Sequence, residues 1–278
     1  MQFNKDEVDI LAGYKSIEII PSKIYAKLSI DFLNDFSQMI LKNKNSKKFP
    51  ELISYGFWSR KSNIMKMSES IYNKKFLVGR GLAFHLPPTN VPINFLYSFS
   101  FGLLNGNSNI IKLSSKKYDS CEYVLDILKK LLKKKKYSKI NRSNLFIRYD
   151  SAHKKTTKMI SSKSDVRLIW GGNDKVLEIK TLKAKINTID ISFFDKFSIS
   201  VLDAKKLKNL SKEGFEKLCY NFYTDAFFMD QNACGSPHII FWLNNIEIIK
   251  KKFWNTVSNF VEKKYLSEDI STIDRFYQ

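Results

Sequence analysis

The stretch GLAFHLPPTNVPINFLYSFSFGLLNGNSNIIKLSSK, Gly81–Lys116, decides the fold. A strand-like stretch within Phe76–Phe84 leads into the Pro87-Pro88 turn. Val91–Leu104 is apolar and long enough for a buried helix, and Asn105-Gly106-Asn107 closes it. Asn109–Leu113 then reads as the next strand. Strand, helix and strand in this order form a βαβ unit, the building block of a parallel sheet.

The same rhythm continues downstream. Tyr118–Lys136 is an amphipathic helix, with Val124, Leu125, Leu128, Leu131 and Leu132 at helical spacing. Asn144–Tyr149, Val166–Trp170 and Thr188–Phe193 read as strands. His153–Lys163 and Asp174–Lys185 read as helices between them. Right-handed crossovers make this a doubly wound, Rossmann-type α/β layer of the nucleotide-binding kind. Upstream, residues 1–75 read as a mainly helical segment, with Ile30, Phe32, Leu33 and Phe36 at helix-like spacing and Pro21 and Pro50 as breaks. The pattern restarts near Ser198. Ile199–Leu202 is a short strand and Lys212–Thr224 a helix. The loop FFMDQNACGSPH (Phe227–His238) follows, then a strand over His238–Trp242 and a basic amphipathic helix over Ile246–Lys264. The expected organisation is therefore a helical segment 1–75, a Rossmann-type domain 76–200, and the start of a second α/β domain over 201–278.

Composition excludes several classes. With 44% hydrophobic and 27% charged residues the chain is globular rather than disordered. No apolar run reaches the roughly 18 residues of a membrane span. Met1–Ala12 lacks a signal-peptide core. Cys121, Cys219 and Cys234 form neither a disulfide framework nor a zinc-type CxxC, which points to no metal and to the reducing cytoplasm. The net charge of +20 invites a nucleic-acid reading. The excess is mostly lysine, however, and is spread along the chain. Its densest run, Lys129–Lys136, ends an amphipathic helix, where the dipole favours cations. A solvated helix end is the favoured reading there, and no nucleic-acid partner is expected.

Two positions invite chemistry. Cys234 is flanked by the small residues Ala233, Gly235 and Ser236, which leave a thiol approachable as a nucleophile; a buried small hydrophobe is the plain alternative. Cys219, on a helix with apolar neighbours, reads as core, and Cys121 as structural. A Cys234/His238 dyad is awkward, because His238 enters a strand. Asn90, in the turn after the first strand, is either a helix N-cap or an amide aimed at a developing oxyanion.

Gly81–Lys116 resembles the aldehyde dehydrogenase superfamily. Together with GFWSRKSNIMKM (Gly56–Met67), VRLIWGGND (Val166–Asp174) and MDQNACGSPHIIFW (Met229–Trp242), it resembles more closely the acyl-thioester reductases of the LuxC family. The resemblance implies an aldehyde-dehydrogenase-like fold and residue roles. Cys234 matches the acyl-accepting nucleophile, and Asn90 matches the amide of the oxyanion hole. Lys112 matches the lysine on the cofactor ribose. Gly171 and Gly172 match the turn beside the pyrophosphate, and Pro88 lies with them on the cofactor side. NAD-preferring relatives carry a carboxylate where this chain has Ser115. A serine there can donate to a 2′-phosphate, with Lys116 or Lys117 adding attraction, so NADPH is the expected cofactor. The implied reaction is reduction of an acyl-CoA or acyl-protein thioester to the aldehyde through an acyl-cysteine.

No hydrolytic base is needed for that reaction. Thr188–Ser200 (TIDISFFDKFSIS) indeed lacks the glutamate of aldehyde-oxidising relatives. Phe194 stands where the reductases carry glycine. Only Gly235–Gln278 follow Cys234, far less than the resemblance implies. A truncated product, one half of a split reductase or a fragment is the expectation from that length. A homo-oligomer or a complementing C-terminal fragment are the expected partners. The alternative to an active reductase is a remnant that only binds nucleotide or a partner.

Overall fold

A computed structural model of the chain describes residue 3 and residues 7–71, 76–194, 196–227 and 235–264. It divides into two compact units, Met1–Phe194 and Asp195–Gln278.

The first unit is built on strands β1 (Asp9–Gly13), β2 (Leu82–Leu86), β3 (Ser108–Leu113), β4 (Asn144–Arg148), β5 (Val166–Trp170) and β6 (Ile189–Phe193). Their spatial order is β1-β4-β3-β2-β5-β6. The last five run parallel, and β1 pairs antiparallel with β4. In β2 and β4 every residue is buried. Continuous apolar runs of this kind suit a sheet covered on both faces.

Helices α1 (Lys27–Lys42), α2 (Pro50–Trp58), α3 (Lys61–Ile71), α4 (Asn94–Leu104) and α5 (Asp119–Leu132) share one core with the sheet. That core joins Phe32, Phe36, Tyr55 and Ile64 to Phe99, Leu128 and Phe146. Short α6 (Ser138–Ser143) leads into β4. Helices α7 (Lys154–Lys163) and α8 (Asn173–Lys180) supply Ile160, Val176 and Ile179 to a core that meets Leu82, Phe84, Ile147 and Ile169.

Three details differ from the sequence expectation. Residues Asp9–Gly13, within the segment expected to be mainly helical, form β1, which occupies a sheet edge that would otherwise expose unpaired backbone groups. The first parallel strand begins at Leu82, later than the Phe76–Phe84 stretch suggests. The helix read over Tyr118–Lys136 stops at Leu132. Beyond it Tyr137 turns inward, and its hydroxyl donates to Asp35 at 2.9 Å. Lys133–Lys136 stay exposed, as a solvated helix end requires.

The second unit holds β7 (Ser198–Asp203) and β8 (Pro237–Leu243), paired in parallel, with helices α9 (Ala204–Lys208), α10 (Lys212–Phe227) and α11 (Glu247–Lys264). Phe215, Cys219, Phe253 and Val257 form its core. Among the described residues no helix is long and apolar enough to cross a membrane.

Candidate functional site

In the order β4-β3-β2-β5-β6 the chain direction of travel reverses between β2 and β5. Open α/β sheets bind ligands at such a switch point, outside the carboxyl ends of the strands. The residues that leave β2 there are Pro87–Asn90, and those that leave β5 are Gly171 and Gly172. Pro88 and the two glycines therefore flank one crevice.

Gly171 has φ +151°, a backbone state that side chains resist, and its N–H donates to the Phe193 carbonyl at 3.2 Å. Gly172 caps α8 with no side chain, so the capping residue itself leaves the first-turn amides to other acceptors. Backbone donors at a helix start, approached through glycine, suit a phosphate group.

Lys112 sits one residue before the end of β3. Its Nζ lies 4.9 Å from the Tyr149 ring centre. Burial first, and then the Lys175 cation, hold its pKa below the usual lysine range, while Asp150 opposes both. Tyr149 follows β4 and is fixed by a 2.9 Å bond between its hydroxyl and Thr157 of α7. Burial pushes the Tyr149 phenol up to about 12, so it remains a neutral platform. Sequence reading passed over Tyr149. Its signal was its place directly after a parallel strand, where ligand contacts concentrate.

Ser115 belongs to the same cluster. Its hydroxyl donates to the Tyr149 carbonyl at 3.2 Å, so its proton is engaged within the protein. This differs from the donor role expected toward a 2′-phosphate. The oxygen keeps acceptor capacity, and the site still lacks a carboxylate at this position. Lys116, with its Nζ 4.9 Å from the Tyr118 ring centre, lines a small recess with Pro88, Thr89, Ser114 and Arg148. On the other side Lys175 and Lys154 both pair with Glu178, at 2.9 and 3.2 Å, and line a groove between α7 and α8.

Asn90 is exposed in the turn after β2. It is not the cap of α4, because Ile93 holds that position and α4 begins only at Asn94. The N-cap reading is thereby overturned: the turn spends three further residues before helical geometry starts. Tyr118 donates to the Thr89 carbonyl at 2.9 Å and pins this turn to the start of α5.

Cys234 lies outside the described residues. The two other thiols are buried. Cys121 lies close to the Pro92 carbonyl at 2.9 Å, and burial pushes it up to about 12. Burial pushes Cys219 up to about 11. Neither is a ready thiolate at neutral pH. His238 lies exposed on β8, stacked on Phe197 at 5.2 Å. On β6 the acidic residue is Asp190, which holds Arg167 through two 2.6 Å bonds. A carboxylate fixed in that way is not placed to serve as a base.

Under the switch point lies a polar network. The Asn109 amide nitrogen donates to the Asn107 carbonyl at 2.9 Å and to Asn144 at 2.6 Å. Its oxygen therefore faces His85 Nε2 at 2.9 Å, which carries the proton, and Nδ1 accepts from Ser98 at 2.8 Å. Burial drives the His85 pKa down to about 4. Gly102 of α4 lies directly over this network, and a side chain there would strike His85 and Asn109.

The sheet order and its switch point give a doubly wound α/β fold of the aldehyde dehydrogenase type. Betaine aldehyde dehydrogenase from Staphylococcus aureus, solved with NAD+, is similar (14% identity, TM-score 0.58, covering 84% of this chain and 48% of that one). So are an oxidoreductase from Marinobacter aquaeolei (11%, 0.62, 91% and 55%) and 1-pyrroline-5-carboxylate dehydrogenase from Thermus with bound NAD (10%, 0.58, 85% and 48%). The family model of acyl-CoA reductase (LuxC) matches residues 59–266, and the chain belongs to that family. No curated protein sequence matches it. The chain spans about half the length of the solved structures it resembles.

Proposed function

We propose that this chain carries the cofactor site and the nucleophile of an NADPH-dependent reductase that converts an acyl-CoA or acyl-protein thioester to an aldehyde. The observation that carries this reading is the family match over residues 59–266, which contain both the switch-point crevice and Cys234. The residues present fit a dinucleotide. The glycine turn admits close backbone approach, α8 starts without a side-chain cap, and a cation is held over Tyr149.

Gly171, Gly172 and Pro88 would hold the pyrophosphate side, and Lys112 the ribose. The absence of a carboxylate at Ser115, with Lys116 beside it, favours a 2′-phosphate over a bare hydroxyl. When bound, the dinucleotide supplies hydride. Cys234, as thiolate, attacks the thioester carbonyl. The Asn90 amide stabilises the oxyanion, and the carrier thiolate departs and takes up a proton, leaving the acyl group on Cys234. No water attacks, so no carboxylate base is needed, in keeping with an Asp190 committed to Arg167.

The test is acyl-CoA-dependent oxidation of NADPH, run alongside transfer of labelled acyl groups from acyl-CoA to the protein. Labelling with turnover supports the full reading. Absence of both labelling and dinucleotide binding overturns it.

A further inference from the structure

Between β2 and α4 the chain runs Pro87-Pro88-Thr89-Asn90-Val91-Pro92-Ile93 without regular structure. Its three prolines fix their own φ angles but bring no N–H donor. Asn90 sits exposed in the middle of this segment. The direction of its amide therefore depends on how the peptides on either side are held.

Both sides are held from one place, the start of α5. The Tyr118 hydroxyl donates to the Thr89 carbonyl at 2.9 Å, and the Cys121 thiol donates to the Pro92 carbonyl at 2.9 Å. Tyr118 caps α5 and Cys121 lies three residues on, so the two side chains leave one face of the helix. The topology makes this possible. Strands β2 and β3 are neighbours in the sheet, and the loops that leave their carboxyl ends run side by side. The start of α5 is in turn fixed to the sheet. Arg148, 7% exposed at the end of β4, donates through Nε to the Ser114 carbonyl at 2.9 Å and through a terminal nitrogen to Glu122 at 2.5 Å.

We propose that Tyr118 is a positioning residue for acyl transfer. Through the Thr89 carbonyl it sets the direction of the Asn90 amide, and Cys121 anchors the far side of the same segment. This rests on the reading of Asn90 as the oxyanion donor. An oxyanion donor works only within a narrow range of distance, and a displacement of about 1 Å can cost about 10²-fold in rate. Losing one of two anchors should cost less, about tenfold, which is the scale of one ordinary hydrogen bond.

The test is single-turnover transfer of a labelled acyl group from acyl-CoA, measured for Tyr118→Phe, Asn90→Ala and the double variant. Tyr118→Phe keeps the ring and removes only the donor to Thr89. It should slow acylation about tenfold at saturating acyl-CoA, with the half-saturating concentration unchanged to within about twofold. In the Asn90→Ala background the same substitution should cost less than about twofold, because the amide it aims is gone. A purely structural loss would be the same size in both backgrounds. Cys121→Ala should slow acylation, and Cys121→Ser, which keeps a donor, should hold the parent rate. Tyr118→Phe as fast as the parent, with Asn90→Ala slow, overturns the positioning role alone. So does an equal loss in both backgrounds. Equal rates for Cys121→Ala and Cys121→Ser overturn the second anchor. A parent chain that takes up no label, or an Asn90→Ala variant as fast as the parent, refutes the reading of Asn90 and the proposal with it.

Discussion

Acidification should destabilise the first unit through His85, and the size of the effect follows from the geometry. His85 is fully buried and neutral, donating to Asn109 and accepting from Ser98. Its folded pKa is about 4, against about 6.5 when exposed to water. The depressed value means that the unfolded chain takes up a proton below about pH 6.5 while the native chain does not. Stability is therefore constant above that pH and falls as pH drops from 6.5 towards 4. At pH 5 the difference is about 1.5 pH units, or about 2 kcal/mol. That is a substantial part of the roughly 5–15 kcal/mol of a typical domain. Urea melts at pH 7, 6 and 5, followed by tryptophan fluorescence, measure it. The control is His85→Gln, which keeps a hydrogen-bonding polar side chain but removes the titration. The variant should be less stable at pH 7 and should lose most of the acid dependence that His85 contributes in this window. A wild-type chain equally stable at pH 7 and 5, or a variant with the same acid loss, would refute the reasoning.

Other expectations concern the site. Cys234→Ser should abolish acyl labelling from acyl-CoA, whereas Cys121→Ser and Cys219→Ser should retain it, because both of those thiols are buried and held protonated. Asn90→Ala should slow acylation by roughly 10²–10³. A stability loss without a rate loss would count against the oxyanion role. Gly171→Ala places a side chain at φ +151° and should cost about 1–3 kcal/mol while weakening dinucleotide binding in a fluorescence titration. Ser115→Glu should shift the NADPH-to-NADH affinity ratio towards NADH by about tenfold, given the roughly 1.5–3 kcal/mol of a hydrogen bond to a charged group; an unchanged ratio would remove this position from cofactor choice.

The sequence by itself determined the order of elements and the class of fold. Apolar runs such as Leu82–Leu86 and Val166–Trp170, spaced by helical patterns, have few solutions other than a parallel sheet with helices on both faces. The Gly171-Gly172 pair was legible as a turn for the same reason, because a strand ended just before it. Local pattern could not fix where the first helix after that strand begins. The apolar run suggested a start at Val91, but Asn94 is where helical geometry takes hold, and that moved Asn90 out of the capping position. Nor could it place β1, whose extended form depends on pairing with β4, far away in the chain. Ser115 read as a free donor. Only the folded chain brings the Tyr149 carbonyl within 3.2 Å and engages its proton. Tertiary packing also buried His85 and neutralised it, and it left Val201 and Phe241 exposed although each lies beside a further apolar residue, Leu202 and Trp242, in its strand. Periodicity records which residues share a face of an element. Whether anything covers that face is decided by contacts between segments distant in sequence.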